Sequence, residues 1–233
     1  MSRAPWVLPA ATLLLAGGCL ANGADANSQT FDFDFSNATA DQAWEPGAAD
    51  FPVAREAEVG VVGDLRTLPA ALNSPGNAQY QSGNNVAGDL FIFNKAYRSG
   101  LAPITTYHMS LQLTYVTNYH SGCTTGPGPK VVLKAGVASS NPTATPDAQG
   151  IYRMNIDKGA GTDGGEYLQF GDIRNGLSGC PATGTYAVRT TSRLPMTVTT
   201  DGLGGFFMFF ATQSSFAGVH EIYVTNVRLR ITF

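Results

Sequence analysis

Apolar and polar residues alternate along several segments of the chain, and a period of two predicts β-strands with one buried face. The clearest segment is 107–117, in which every second residue is aromatic or aliphatic: Tyr107, Met109, Leu111, Leu113 and Tyr115. In 30–36, Phe31, Phe33 and Phe35 alternate with Asp32 and Asp34. Both segments therefore predict half-buried strands with an aromatic inner face.

Further segments of the same kind follow, although the region 39–77 contains four prolines and is predicted to be mostly loop. Strands are predicted at 89–95, 130–138, 151–156, 166–170, 185–191 and 196–200, with a weak one at 58–62. The segment 205–212 is apolar at both odd- and even-numbered positions, so both of its faces would be buried. This predicts a strand at the centre of a sheet.

The last strand changes phase. Ile222 and Val224 share one parity, whereas Val227, Leu229 and Ile231 share the other. One extra residue exchanges the two faces of a strand, so the pattern predicts a β-bulge at 225–226.

No segment has a sustained helical period with caps. Nine or ten short strands of this spacing predict an all-β protein, an antiparallel two-sheet sandwich of the jelly-roll type, in which the first and last strands pair. Residues 30–233 are predicted to form a single domain.

Composition limits the partners. The chain has 233 residues, a formal charge of −3 and only 13% charged residues. A chain with no basic excess is not expected to bind nucleic acid.

The first eighteen residues predict a secretory signal peptide: Arg3 precedes an apolar stretch at 7–16, and Gly17 and Gly18 form a small-residue cleavage zone. Cys19 follows at once. This ending resembles the lipobox of bacterial lipoproteins, with Ala16 where that family prefers Leu. The alternative is an ordinary signal peptide with a cysteine near its cleavage site.

The lipobox resemblance implies acylation of Cys19 by chains such as palmitate and attachment to the lipid bilayer. Leu20, a residue other than Asp, implies sorting to the outer membrane of the cell envelope, on its periplasmic or surface face. Residues 19–29, rich in Ala, Asn and Gly, would form a lipidated, flexible tether.

The two remaining cysteines, Cys123 and Cys180, each end a Ser-Gly-Cys tripeptide. In an oxidising compartment a disulfide between them is expected, and closing so long a loop is worth about 4 kcal/mol. The alternative is two separate buried thiols.

Three segments together resemble the galactose-binding-like β-sandwich of many carbohydrate-binding modules. They are the Phe-Asp-Phe-Ser opening followed by Trp44, the segment 100–116 and the segment 222–229. The chain also resembles a group of uncharacterised bacterial lipoproteins through the motifs at 48–52, 82–85 and 154–159. The resemblance implies a shared fold; Thr225 replaces the family's frequent Asp, so a structural calcium site of the family kind is not implied.

Two clusters are candidates for ligand binding. Asp157, Asp163, Glu166 and Asp172 surround a glycine-rich loop, where carboxylate oxygens could hold Ca²⁺; the alternative is a solvated hairpin loop. Four aromatic residues could stack on a sugar, namely Trp44, Tyr80, Tyr97 and Tyr119, with Asn84, Asn85 and Asp89 binding hydroxyls. The alternative is that Trp44 fills the sandwich and Asn84 and Asn85 form a turn.

No sequence motif indicates catalysis. The three histidines have no metal-ligand spacing, and no serine occupies a Gly-x-Ser-x-Gly turn. The sequence therefore predicts a non-catalytic binding module with glycan as its ligand. The alternatives are a structural or protein-interaction lipoprotein and, third, a hydrolase, since carboxylates can also meet in space.

Overall fold

The structure, a computed structural model, describes residues 28–37, 44–160 and 162–233. Strands dominate these residues. They are β1 (Ser28–Asp34), β2 (Glu45–Ala49), β3 (Val62–Thr67), β4 (Asn77–Asn85), β5 (Leu90–Arg98), β6 (Thr106–Thr117), β7 (Val131–Ala138), β8 (Ala144–Pro146), β9 (Tyr152–Met154), β10 (Tyr167–Asp172), β11 (Ala187–Thr199), β12 (Phe206–Ser214) and β13 (Gly218–Thr232). Two single-turn helices, α1 (Glu56–Val59) and α2 (Pro127–Lys130), accompany short 3-10 turns at Phe35–Asn37, Val53–Arg55 and Ala70–Leu72.

Two antiparallel sheets face each other. Sheet A has the order β11-β6-β13-β4-β3, and β1 also pairs with β13; sheet B has the order β10-β7-β12-β5-β2. The small β8–β9 pair stands apart from both. The predicted all-β antiparallel sandwich is confirmed.

The first and last strands pair, as predicted. Residues 28–34 of β1 lie antiparallel to residues 226–232 of β13, with Phe31 opposite Leu229. The register between β13 and β6 shifts between Val224 and Asn226, at the predicted position of the bulge. This shift lets both halves of β13 bury their apolar side chains, since Ile222, Val224, Val227, Leu229 and Ile231 are all fully buried.

Strand β12 is central, also as predicted, and it pairs with β5 on one side and β7 on the other. Its even-numbered residues, including Phe206 and Phe210, belong to the core between the sheets. Phe209, at odd parity, packs on the outer face of sheet B with Phe91 and Tyr167. The segment joining β7 to β10 covers this outer face, which explains why the strand is apolar on both sides.

Three predictions of local structure are wrong. The first residues of the proposed strand at 58–62 belong instead to helix α1, which ends before Gly60, a residue with a left-handed φ of 53°. The region 39–77 contains β2, β3 and the start of β4, although its prolines predict mostly loop. The strands predicted at 185–191 and 196–200 are one strand, β11, with an irregularity between Arg193 and Met196.

A chain of buried polar side chains crosses the core between the sheets. Gln79 donates to Asn94 (3.2 Å), Asn94 donates to Gln81 (2.9 Å), and Gln81 donates to Thr212 (2.6 Å). His220 completes the chain through Nε2, 2.9 Å from the Thr212 hydroxyl. We call these five residues the polar seam. Because paired polar groups tolerate burial, the seam specifies how β4, β5, β12 and β13 meet.

Candidate functional site

Trp44 lies in the core, and this corrects its expected role in sugar stacking. Its side chain is 2% exposed. Rings of Phe33 (5.6 Å), Phe35 (5.7 Å) and Phe210 (5.4 Å) surround it. An indole enclosed in this way has no face available to a ligand.

Asn84, Asn85 and Asp89 lie at the connection between β4 and β5, where Asn85 holds the turn and Asn84 ties it to α1. The Asn85 side chain is buried, accepts from the amides of Ala87 (3.2 Å) and Gly88 (2.9 Å), and donates to the Ser214 carbonyl. Asn84 donates to the Glu58 carbonyl. Asp89 is exposed and accepts from Gln213. The alternative interpretation, a turn built by the asparagines, therefore holds for Asn85, whereas Asn84 contacts α1.

Tyr80 and Tyr119, two of the four expected aromatic residues, meet around Glu221 on the outer face of sheet A. The Glu221 carboxylate accepts from the hydroxyls of Tyr80 (2.7 Å) and Tyr186 (3.2 Å), and the Glu221 amide donates to the Tyr119 hydroxyl. Burial raises the pKa of Tyr80 and of Tyr186 to about 12. Tyr80 itself is buried beneath Tyr223 and Arg66, so its ring has no face available to a sugar.

Tyr97, the fourth expected aromatic residue, is separate from the other three. It is partly exposed, donates to Asp201 (2.8 Å) and packs on Phe207. The structure therefore does not assemble the expected aromatic platform.

The acidic glycine loop does not bring its carboxylates to one centre. Asp157 accepts from the amides of Gly159 (3.0 Å) and Gly165 (2.8 Å), and Glu166 accepts from the amide of Asp157. Asp163 pairs with Arg193 and Asp172 pairs with Arg174, each at 2.7 Å. Across the described residues, no three His, Cys, Asp or Glu side chains form a group able to hold a metal. The four acids thus do not form the shared ligand set that the sequence analysis expects.

The loop instead surrounds the ammonium group of Lys134. This fully buried side chain donates to the carbonyls of Lys158 (2.6 Å), Gly159 (3.2 Å) and Thr162 (3.1 Å). Burial lowers the pKa of Lys134. The positive charge at the centre of this loop therefore belongs to the chain's own Lys134.

Cys123 and Cys180 are joined by a disulfide. It ties the loop after β6 to the loop before β11, and the two Ser-Gly-Cys tripeptides lie against each other. A side chain on Gly122 would collide with the backbone of Gly179, so the glycine permits this close approach. His120, nearby, approaches the Ser178 carbonyl through Nδ1 (3.2 Å) and accepts from the Thr185 amide through Nε2 (2.9 Å), which gives this histidine a structural role.

A groove of about 580 Å³ lies on the outer face of sheet B, and it contains none of the expected binding residues. β2 and β5 form its floor, the start of the β8–β9 pair forms one wall, and the segment around α1 forms the other. We call it the sheet B groove; its lining residues are Glu45, Pro46, Gly47, Ala48, Phe51, Glu56, Val61, Phe93, Lys95, Pro142, Thr143, Ala144 and Tyr152.

One wall of the groove is a fixed aromatic pair. The ring of Tyr152 packs on Phe51 with centroids 4.9 Å apart, and the Tyr152 hydroxyl donates to Glu56 (3.0 Å). Phe51 is buried, whereas Tyr152 is half-buried. Tyr152 therefore presents an aromatic surface whose orientation is set at both ends.

The opposite part of the groove carries a fixed charge. Lys95 points outward from β5 and donates to the Asn141 side chain (2.7 Å) and to the Pro142 carbonyl (2.9 Å). Its ammonium also lies 3.4 Å from the carboxylate of Glu45, which is largely exposed. Gly47 allows β2 to lie across the ring of Phe93, where any side chain would collide with that ring.

These features suit binding better than proton transfer. The groove offers an aromatic surface, two carboxylates and one ammonium, a combination that can engage both the apolar and the polar groups of a small ligand. Glu45 and Glu56 are both exposed to water. A carboxyl group that acts as general acid at neutral pH is typically shielded from water.

This groove is not evident from the sequence, because its residues come from four separate segments. Glu56 falls in a predicted loop, Phe93 and Lys95 in one predicted strand, and Tyr152 in another. One signal is available in the sequence of β5: Phe91, Phe93 and Lys95 are alternate residues. They therefore share one side of the strand, which carries two aromatic rings and a positive charge.

Comparison with known proteins adds little beyond the sandwich itself. No protein-family model matches the chain, and no curated protein matches it in sequence. Among solved structures, carbohydrate-binding modules of the β-sandwich superfamily match with 12% identity and a TM-score of 0.38, covering 83% of this chain and 58% of that chain. The K1 cleaved adhesin domain of Lys-gingipain from Porphyromonas gingivalis matches with 11% identity and a TM-score of 0.37, covering 86% and 97%.

A third solved structure, the module TmCBM61 in complex with β-1,4-galactotriose, matches with 11% identity and a TM-score of 0.32, covering 84% of this chain and 89% of that chain. Likenesses this distant carry no argument about a ligand. The fold therefore rests on the strand order, and the function on the groove.

The predicted signal peptide, Cys19 and the predicted tether up to residue 27 lie outside the described residues. The last two residues of the predicted tether, Ser28 and Gln29, belong instead to β1, where they pair with Thr232 and Ile231. In the described part of the chain, no helix is long and apolar enough to cross a bilayer.

Proposed function

We propose that this protein is an exported, lipid-anchored β-sandwich that binds a glycan in the sheet B groove without catalysing a reaction. One observation carries the proposal. Tyr152, packed on Phe51 and bonded to Glu56, faces a groove that also contains Lys95 and Glu45.

The chemistry of the groove matches that of a sugar ring. A pyranose has one apolar C–H face and a rim of hydroxyl groups, so it needs an aromatic surface next to donors and acceptors. Tyr152 provides the surface and the two carboxylates accept from hydroxyls, while Lys95, which donates to Asn141 and Pro142, holds the adjoining wall and the Glu45 carboxylate in place. A volume of about 580 Å³ is within the range of small-ligand sites, which are roughly 300–1,000 Å³.

The anchor is supported by the sequence alone. Cys19 follows Gly17 and Gly18 at the end of a signal-like segment, and acyl chains on its sulfur would attach the protein to the outer membrane. The groove would then bind glycans at the cell envelope.

A glycan array tests the binding proposal when three proteins are compared: the wild type, Tyr152→Ala and Tyr186→Ala. Tyr186 is the matched control, because it is also a half-buried tyrosine that donates to a glutamate, but it lies on sheet A. We expect one class of glycan to bind the wild type and Tyr186→Ala, and to be lost with Tyr152→Ala. Silence of the wild type across the array, or equal loss in both variants, contradicts the proposal.

A further inference from the structure

Two neighbouring loops at one end of the sandwich expose large aliphatic side chains. One loop joins β5 to β6 and carries Ile104, which is 77% exposed; the other joins β11 to β12 and carries Leu203, which is 82% exposed. These are the highest exposures of any large hydrophobic residue in the described ranges. Single exposed apolar residues are common on protein surfaces, so the exposure of these two acquires meaning only from what else lies at this end of the sandwich.

The loops hold these two side chains on a fixed support. The Ile104 amide donates to the Asp201 carbonyl and the Leu101 amide to the Gly204 carbonyl, both at 3.2 Å. The Asp201 carboxylate accepts from the amides of Leu203 and Gly205, both at 2.8 Å. These hydrogen bonds join the two loops and fix the backbone on which Leu203 is exposed.

Ile104 also adopts an unfavourable backbone conformation. Its φ is +50°, in the left-handed region that β-branched residues rarely occupy. Such conformations persist where the surrounding structure enforces them, and they concentrate at functional positions. In this loop an exposed isoleucine adopts a backbone conformation that glycine or asparagine would adopt more readily.

The chain enters the sandwich at this same end. β1 begins at Ser28, which pairs with Thr232, and the adjacent Phe233 is 61% exposed with its ring against Tyr107. Cys19 precedes Ser28 by nine residues. Even a fully extended segment of that length spans only about 30 Å, at roughly 3.3–3.6 Å per residue.

We propose that this end of the sandwich docks on the lipid bilayer, with Ile104 and Leu203 inserted at the membrane interface. The inference rests on the lipid anchor of the proposed function, because an acylated Cys19 holds this end nearest the membrane. Arg230, exposed beside Ser28, places a positive charge at this end, and that charge suits anionic lipid head groups.

A pair of labelled proteins tests the docking. Leu203→Cys carries an environment-sensitive NBD fluorophore at the proposed interface, and Val219→Cys carries it at the opposite end, where Val219 is 59% exposed. Each mature lipidated protein is placed in vesicles of phosphatidylethanolamine and phosphatidylglycerol at 3:1. We expect a blue shift and quenching by brominated acyl chains at position 203, and neither effect at position 219.

The outcomes separate the docking surface from the anchor. Equal spectra at the two positions in the acylated protein overturn the docking proposal, and so does a shift that requires added membrane proteins. Mass spectrometry of the same preparation shows whether Cys19 is acylated. If it is not, the anchor fails, and the two labels are compared in a Cys19→Ser background with excess vesicles, where a shift at 203 alone supports docking and its absence overturns it.

Discussion

Nε2 of His220 in sheet A lies 2.9 Å from Oγ1 of Thr212 in sheet B, and this hydrogen bond is the last of the four by which the polar seam joins the two sheets. The histidine side chain is fully buried, and its Nδ1 has no hydrogen-bond partner. A proton added to this ring would bury a charge with one N–H unpaired, which is costly. Burial accordingly lowers the pKa of His220 to about 4.

The low pKa of His220 predicts acid sensitivity. The unfolded chain takes up the proton near pH 6.5, whereas the folded chain resists it down to about pH 4. The neutral ring therefore contributes to the free energy of unfolding above pH 6.5. This contribution, about 3 kcal/mol, is lost as the pH falls towards 4. Denaturant unfolding of the wild type and His220→Gln between pH 7.5 and 4 measures this loss. Parallel losses in the two proteins would show that His220 is not responsible.

Replacing Cys19 by Ser should release the protein from membranes. The hydroxyl cannot receive the thioether-linked acyl chains on which stable attachment depends. Membrane fractionation with palmitate labelling measures the effect, and we expect a soluble, unlabelled protein. An unchanged membrane fraction would refute the proposed anchor.

Removing the disulfide should lower the free energy of unfolding by about 4 kcal/mol, because Cys123 and Cys180 are 57 residues apart and the bond restricts the unfolded chain. Thermal unfolding of the Cys123→Ala/Cys180→Ala double variant measures this change. Gly122→Ala is a complementary variant that keeps both sulfurs but pushes the tripeptides apart. If the double variant is as stable as the wild type, the bridge does not support the fold.

Replacing Lys134 by Met should destabilise the acidic glycine loop by about 3 kcal/mol, because three backbone carbonyls lose their common charged donor. Hydrogen exchange of residues 157–166 measures the loosening, and Lys130→Met, at an exposed position, is the control. Added Ca²⁺ should leave the Tm of the wild type unchanged, because Lys134 already occupies the loop. A clear rise in Tm with Ca²⁺ would restore the calcium hypothesis.

Hydrophobic patterning predicts the strands that bury one apolar face, including β6 and the two halves of β13. It also locates the bulge, because one extra residue in a strand moves the following apolar residues to the opposite parity. It misses β4, since Gln79 and Gln81 face inward in the polar seam, and so the usual pattern is inverted there. β2, with the sequence Glu-Pro-Gly-Ala-Ala, has no alternation to detect.

The candidate site is harder to predict for a different reason. Trp44 has the chemistry of a sugar platform, but only its contacts with three phenylalanines show that it belongs to the core. Tyr152 looks like an ordinary strand residue until the fold brings it to Phe51 and Glu56. Residue types therefore suggest the class of ligand, whereas burial and long-range packing determine which residues can meet it.

Calorimetric titration of the glycan identified on the array tests the central claim most directly. In the proposed site Tyr152 stacks on the sugar, an interaction worth about 1.4 kcal/mol that Ala cannot replace, so the Kd of Tyr152→Ala should rise roughly tenfold. The Kd of Tyr186→Ala should stay within about twofold of the wild type, because that tyrosine is on the other sheet. An unchanged Kd for Tyr152→Ala, or a larger increase for Tyr186→Ala, would show that the sheet B groove is not the glycan site.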